Sequence, residues 1–247
     1  MQSVDSRQSR YDAYLQRYRL GEWRARVVHD LIADDIRSKG RGSSVLDIGC
    51  GDGFDADLPL QQSLAALSGR YIGVEPDANV ELGQHFSKVH RCLFEQAPIE
   101  PASIDVAIAV MVLEHVQTPE LFWRKVSEIL KPGGVFWGMT VDGRSLFAKA
   151  SYWLEQTHGK ELYLRLLRGR RGEDRYLNYP VFYRCNTPDQ IQAQTGLFSE
   201  HDVINFVRVG QHRHAFPQWL YPLSDQFDRW IVKNNKPGTL LLVRVVK

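Results

Sequence analysis

A glycine-rich turn after a short apolar segment constrains the fold of this 247-residue chain more than any other feature. Ser43 to Ile48 is a predicted buried strand, and the turn Gly49-Cys50-Gly51-Asp52-Gly53 follows it directly. Glycines at alternate positions let the backbone approach a bound ligand closely. A helix predicted to begin near Asp55 would point its N-terminal amides into the same space. The pattern therefore predicts an α/β fold with a ligand at the end of this strand.

An acidic residue at the next strand end indicates the kind of ligand. Glu75 lies 22 residues beyond Gly53, close to the roughly 20 that separate a ribose-binding acid from its glycine loop in nucleotide-binding folds. The dinucleotide pattern Gly-x-Gly-x-x-Gly is not met, because the third glycine comes one residue early. Asp47 would repel a pyrophosphate but suits the ammonium of a zwitterionic ligand. These residues favour an amino acid joined to a nucleoside over NAD.

The order of the predicted elements indicates a mostly parallel sheet. Tyr11 to Lys39 predicts one or two helices, broken near Gly21. Strands then alternate with helices, which is typical of parallel strands joined by right-handed crossovers. The remaining elements are predicted as strands over 43–48, 71–75, 91–95, 104–113, 135–141, 203–209 and 239–246, with helices from Thr118 and over 187–196.

Four short motifs follow one another over residues 45–134. They are Val45-Leu46-Asp47-Ile48-Gly49-Cys50-Gly51-Asp52-Gly53, Gly73-Val74-Glu75-Pro76, Val112-Leu113-Glu114-His115-Val116 and Leu130-Lys131-Pro132-Gly133-Gly134. Together they resemble the class I S-adenosylmethionine-dependent methyltransferases. The resemblance implies a doubly wound, mostly parallel seven-stranded sheet with an antiparallel last strand, and S-adenosyl-L-methionine as cofactor. We expect a single methyltransferase domain over 1–247, with N-terminal helices in 1–40.

The resemblance also implies which residues bind the cofactor. Asp47 and the glycine turn would hold the methionine part, and Glu75 the ribose. Many relatives carry an acid after the third strand for the adenine amine; here Leu93 takes that place, followed by Phe94 and Glu95. Alternatively, Phe94 belongs to the core and Glu95 is solvated. The predicted cofactor-binding residues are Asp47, Gly49, Cys50, Gly51, Gly53, Glu75, Pro76, Phe94, Glu95, Val110 and Met111.

His115 is the predicted catalytic residue. It lies just beyond the fourth strand, and an imidazole can remove the proton of a hydroxyl acceptor near neutral pH. The alternative is that this histidine caps the strand end or packs beside the cofactor. No metal is predicted. Further pocket candidates are Tyr11, Tyr14, His158, Tyr183, Arg184, His212 and His214.

Residues 143–186 interrupt the alternation of strands and helices. A helix is predicted from Ser145 to Leu167, followed by a basic stretch from Arg168 to Gly172 and an aromatic-rich segment. An insertion at this point would lie at the ligand edge of the sheet, so we expect a lid that selects the substrate. Its apolar residues and basic end also predict peripheral contact with a membrane surface. The alternative is a lid helix that packs on the sheet.

Composition and charge narrow the acceptor. Residues 1–143 hold 15 basic and 20 acidic side chains, whereas 144–247 hold 16 and 9. The basic half carries no nucleic-acid recognition motif, which makes nucleic acid an unfavourable partner. We expect methyl transfer to a small-molecule, glycan or lipid-type acceptor, amphipathic or anionic, at oxygen. The alternative is a catalytically inactive S-adenosylmethionine-binding scaffold or regulatory module. With three cysteines and no apolar N-terminal segment, a cytoplasmic protein without an obligate protein partner is expected.

Overall fold

The computed structural model describes residues 4–145, 148–149, 180–213 and 216–247, and the side chains from residue 11 onward. These residues form one seven-stranded sheet in the order β3-β2-β1-β4-β5-β7-β6. The strands are β1 Ser44–Ile48, β2 Arg70–Val74, β3 Lys88–His90, β4 Ile104–Val110, β5 Leu130–Val141, β6 Glu200–Phe206 and β7 Leu240–Val246. β1 to β5 pair in parallel, and β7 runs antiparallel to both β5 and β6. The predicted sheet, with its antiparallel last strand, is therefore confirmed.

Helices cover both faces of the sheet. They are α1 Val4–Arg19, α2 Arg24–Lys39, α3 Leu58–Leu67, α4 Pro119–Ile129, α5 Pro188–Gln194 and α6 Tyr221–Lys233. α5 begins as its sequence predicts, with the Thr187 hydroxyl accepting a hydrogen bond from the Gln190 amide and proline at the first helical position. α1 and α2 confirm the predicted break near Gly21, a residue with a φ of 103°.

Two apolar clusters, one on each face, form the core. Alternate residues of β1 serve both, because side chains of a strand point to opposite faces. Val45 packs in the cluster that contains α1 and α2, and Leu46 packs in the cluster that contains α4. Both residues are fully buried. Continuous apolar strands in the sequence thus correspond to strands covered on both sides.

Several predicted boundaries were wrong. The third strand is Lys88–His90 and not 91–95, because this edge strand pairs only with Ile72–Val74 and the chain then enters a 3₁₀ turn, Phe94–Gln96. The fourth strand ends at Val110, since Met111 has a φ of 56° and a 3₁₀ turn, Leu113–His115, follows. β5 starts earlier than predicted, at residue 130, and β6 lies about three residues earlier than 203–209.

The helix after the glycine turn starts at Leu58, capped by the Asp57 side chain, and not near Asp55. The predicted helix from Ser145 to Leu167 and the basic stretch after it lie outside the described residues. Among the described helices, none is both long and apolar enough to cross a bilayer.

The carboxyl ends of β1, β2 and β4 meet at one edge of the sheet. β1 lies in the centre, with β2 on one side and β4 on the other. The strands that follow β1 in the sequence thus lie on both sides of it, which makes this position the switch point of the strand order. Open α/β sheets bind ligands in the crevice at such a switch point.

Candidate active site

A cavity of about 780 Å³ opens at the switch point. The ends of β1, β2 and β4, the 3₁₀ turn Phe94–Gln96 and the start of α4 form its wall. The size lies within the usual range for small-molecule sites. Ten predicted site residues line this cavity: Gly49, Gly51, Gly53, Glu75, Pro76, Phe94, Glu95, Val110, Met111 and His115.

Glu75 is held rigidly at the end of β2. Its side chain is 5% exposed, and its Oε1 accepts a hydrogen bond from the Asp77 amide at 2.9 Å. The Gly51 amide also donates to this carboxylate, and burial raises its pKa above the ordinary value. A carboxylate has about four acceptor sites, so Glu75 can still accept hydrogen bonds from a ligand's hydroxyl groups.

The glycine turn is shaped around Glu75. A Cβ atom on Gly51 would lie 2.8 Å from Glu75 Oε2 and 3.0 Å from Val80 Cγ1. At Gly53, φ is 85° and a Cβ would lie 2.8 Å from the Leu58 amide nitrogen. Any larger residue at these positions would displace the carboxylate or the start of α3, which explains the glycines that the sequence places there.

Asp47 and Cys50, in contrast, lie behind the cavity wall and are absent from its lining. Asp47 Oδ2 accepts hydrogen bonds from the Tyr71 hydroxyl and the Gln61 side-chain amide, both at 2.8 Å. Burial raises the pKa of Asp47 to about 6, and the charge of Glu75 contributes to the rise. Cys50 is fully buried, and burial raises the pKa of its thiol.

We expect Asp47→Asn to stabilise the ligand-free protein at pH 8. The folded-state pKa of Asp47, about 6, exceeds its ordinary value of 3.8, so its contribution to stability is present below pH 4 and is lost as the pH rises through 6. At about 1.4 kcal/mol per pKa unit, the asparagine variant should gain up to roughly 3 kcal/mol at pH 8 and little at pH 4. Urea unfolding at several pH values measures this difference.

The control is Asp57→Asn, which removes the same charge from the partly exposed cap of α3, where asparagine also caps well. A stability of Asp47→Asn at pH 8 equal to or below that of the wild type would show that the buried carboxylate does not destabilise the fold.

The adenine candidates have mixed surroundings. Phe94 is 5% exposed and packs edge-to-face on Phe122, with ring centres 5.0 Å apart, yet it also lines the cavity. Glu95 is partly exposed in the same wall. Leu93, which takes the place of the relatives' acid, also lines the cavity and is 54% exposed. An apolar surface thus stands where many relatives carry a carboxylate.

His115 lies in the cavity wall beyond the end of β4. Its Nδ1 is 2.9 Å from the carbonyl oxygen of Pro180. The chain around Pro180 is fixed there because the Phe182 amide donates to the Glu114 carbonyl at 2.8 Å. Pro180 and Phe182 also line the cavity. The described end of the 143–186 insertion therefore forms part of the wall beside His115.

The other pocket candidates fall outside the lining. Tyr11 hydrogen-bonds Asp202, Tyr14 bonds Asp34 and His212 pairs with Asp228. Tyr183 and Arg184 are near the cavity without lining it, and Arg184 lies over the Phe182 ring, 5.6 Å from its centre. His158 and His214 lie outside the described residues.

Three residues of the wall adopt a strained backbone conformation, and two of them, Asp55 and Ala56, were not predicted site residues. Asp55, Ala56 and Met111 adopt φ values of 53°, 64° and 56°, and all three line the cavity. Non-glycine residues in this region cost about 1–3 kcal/mol each and cluster at functional sites. A two-pronged ion pair with Arg24, with both contacts at 2.7 Å, anchors Asp55. Propensity could not have located Asp55 and Ala56, since their conformation depends on tertiary contacts.

The lining is acidic. It contains four carboxylates, and among its described members there is no lysine or arginine. They are Asp52, Asp55, Glu75 and Glu95. The charge of Asp55 is offset by its ion pair with Arg24, and the other three carboxylates favour a cationic ligand and disfavour the pyrophosphate of a dinucleotide. Among the described residues, no group of three or more potential ligands could hold a metal ion.

Comparison with known families agrees with this geometry. Residues 14–170 match the model of a methyltransferase-domain family. The chain belongs to the S-adenosylmethionine-dependent methyltransferases. In this family the cofactor is S-adenosylmethionine, whose sulfonium and ammonium groups suit the acidic wall. The glycine cradle and the buried Glu75 carboxylate fit its methionine and ribose parts, so this chain has the residues to hold it.

Individual relatives cover only part of the chain. A probable S-adenosylmethionine-dependent methyltransferase of Mycolicibacterium smegmatis is 30% identical over 112 residues, 44% of this chain and 42% of that protein. The mitochondrial ubiquinone biosynthesis O-methyltransferase of Mus musculus is 31% identical over 131 residues, 48% of this chain and 34% of its own length. The matches thus span less than half of these relatives. A methyltransferase structure from Archaeoglobus fulgidus shares the fold, with a TM-score of 0.57 and 13% identity, over 96% of this chain and all of that one.

Proposed function

We propose that this methyltransferase transfers a methyl group to an oxygen atom of a small-molecule, glycan or lipid-type acceptor, with His115 as general base. The observation that carries the proposal is the contact between His115 Nδ1 and the Pro180 carbonyl. A carbonyl oxygen only accepts hydrogen bonds, so Nδ1 carries the proton of the neutral ring. Nε2 is then the nitrogen that can take the proton of an acceptor hydroxyl.

Bound S-adenosylmethionine supplies a methyl group on a positively charged sulfur atom. The protein has to place the acceptor oxygen in line with that group and receive the proton that the oxygen gives up. In this proposal, Glu75 accepts hydrogen bonds from the ribose hydroxyls, the turn from Gly49 to Gly53 accommodates the methionine part, and Phe94 and Glu95 lie beside the adenine. Asp47 acts through its charge from behind the wall.

The wall near His115 favours an amphipathic acceptor over an anionic one. Val112, Val116, Leu121 and Phe182 give it an apolar surface. The carboxylates elsewhere in the lining would repel phosphate groups, which also weighs against nucleic acid. Methylation at oxygen agrees with the name of the mouse relative, a ubiquinone biosynthesis O-methyltransferase.

The proposal includes a lid within 143–186 and a cytoplasmic location, where the three free thiols stay reduced.

A methyl-transfer screen tests the proposal. The protein is incubated with methyl-labelled S-adenosylmethionine and with matched sets of acceptors. The members of a set share an apolar skeleton and carry either a hydroxyl, an amine or a carboxylate. Label should enter the hydroxyl compounds as methyl ethers, with one S-adenosylhomocysteine formed per ether. Products methylated only at nitrogen or carbon would refute transfer to oxygen. Tight cofactor binding without turnover on any acceptor would favour the inactive scaffold instead.

A further inference from the structure

The connection from β6 to β7 exposes an unusual number of large apolar side chains. Trp219 is 77% exposed, Leu223 66% and Trp230 51%, and Phe216 and Phe227 are also exposed. Contiguous apolar surface of this kind on a folded domain marks an interaction site. These five residues are called the α6 surface below.

The helical part of the α6 surface is a continuous stripe. Leu223, Phe227 and Trp230 are spaced by four and three residues, so they lie on one face of the helix. Together with Phe216 and Leu220 they line a groove of about 480 Å³. The opposite face of α6 is turned toward the protein, where its buried residues include Asp225, Asp228 and Ile231.

The acidic and basic side chains of this connection also differ in their exposure. Residues 216–236 contain two acids, Asp225 and Asp228. Both are buried. Asp225 pairs with Arg213, and Asp228 accepts from the Gly210 amide at 2.8 Å and contacts His212 Nδ1 at 2.5 Å.

The ionised side chains left at the surface of 216–236 are all basic. They are Arg229, Lys233 and Lys236, and each is exposed. In an interface between two proteins, the rim around the apolar centre is usually polar and is not limited to one sign of charge. Exposed aromatic and apolar residues beside lysine and arginine are typical of helices that lie in the interface of an anionic membrane.

The α6 surface belongs to the same edge of the sheet as the cavity. Leu240, the first residue of β7, pairs with both Phe206 and Val141, the last residues of β6 and β5. β5 and β6 run in the same direction as β1 and β4, so residues 207–239 leave and re-enter the sheet at the edge where the cavity opens.

We propose that the α6 surface docks on anionic lipid bilayers. Trp219, Leu223 and Trp230 insert among the lipid headgroups, and the cations beside them meet the lipid phosphates. The proposal does not rest on methyl transfer, since docking requires neither cofactor nor acceptor. It assigns membrane contact to α6, whereas the sequence predicted such contact for the insertion after β5.

Co-sedimentation of the whole protein with vesicles tests this. The wild type should bind vesicles of phosphatidylcholine with phosphatidylglycerol, but not phosphatidylcholine alone. Binding should weaken in high salt, because screening shortens the reach of surface charges from about 10 Å at 0.1 M to about 3 Å at 1 M. Trp219→Ser and Leu223→Ser should each reduce partitioning about tenfold, and Lys233→Gln about fivefold.

Leu197→Ser is the matched control, because Leu197 is 64% exposed and lies before β6, at the opposite edge of the sheet. It should bind vesicles like the wild type. Failure of the wild type to bind anionic vesicles would overturn the proposal. Equal binding by the α6 variants would also overturn it, because the contact would then lie elsewhere. A concentration-dependent dimer that Leu223→Ser abolishes, in protein that does not bind vesicles, would overturn the proposal as well. That face would then join two copies of the chain.

Discussion

His115→Asn should lower the turnover rate on the hydroxyl acceptor by about 10²- to 10⁴-fold, the usual contribution of a general base. Asparagine can still donate a hydrogen bond to the Pro180 carbonyl that His115 Nδ1 now contacts, but it has no nitrogen that takes up a proton. The wall of the cavity should therefore keep its shape while the base is lost. Steady-state kinetics with an acceptor from the screen measures the effect.

Calorimetry separates this role from the alternatives. If His115 acts only as base, the Kd for S-adenosylmethionine should be the same in wild type and His115→Asn. His201→Asn, at an exposed position on β6, should change neither quantity. Turnover that stays within a few-fold of wild type would mean that the histidine only caps the strand end. A weakened Kd that accounts for the whole loss would mean that it packs beside the cofactor.

The predicted site residues that line the cavity share one property, their position along a strand. The glycine turn, Glu75 and His115 each follow the end of a buried strand, and the carboxyl ends of parallel strands meet at one edge. The alternation of apolar segments and helices predicts parallel strands, and the strand order that the structure adds brings these residues to one cavity.

The features that were missed depend on contacts between distant elements. Asp47 lies on the same face of β1 as Val45, where Gln61 of α3 and Tyr71 of β2 reach its carboxylate. No local pattern reveals that pairing. The third strand was misplaced because three residues at the edge of the sheet are too few to show an apolar periodicity. The apolar spacing in α6 resembles that of a core helix, and only the fold shows that Leu223 and Trp230 remain exposed.

Glu75→Ala should weaken S-adenosylmethionine binding by about 10- to 150-fold. Hydrogen bonds to a charged group contribute about 1.5–3 kcal/mol, and each 1.4 kcal/mol corresponds to about a factor of ten. The carboxylate is already held by the Asp77 and Gly51 amides, so the wild type loses little side-chain entropy on binding. Titration calorimetry with S-adenosylmethionine measures the change, and NAD should not bind either protein.

Two further variants separate charge from shape. Glu75→Gln keeps the size of the side chain but removes its charge, so most of the affinity should still be lost. Glu81→Ala removes the same charge from an exposed position in the loop after β2, and its affinity should match the wild type. Equal affinity of wild type and Glu75→Gln for S-adenosylmethionine would show that binding of its ribose does not require the charge of Glu75.

Acidification should reproduce the effect of Glu75→Gln in the wild type. Burial raises the pKa of Glu75, so the carboxylate gains its proton at a higher pH than an exposed glutamate would. As the pH falls through that raised pKa, wild-type affinity should approach that of Glu75→Gln, whose own change in affinity reports the other groups, among them Asp47 with its pKa of about 6. Convergence of the two curves of affinity against pH would show that the buried charge contributes to cofactor binding, since protonation leaves the shape of the glycine cradle unchanged. If they stayed parallel, the pH dependence would arise from another group.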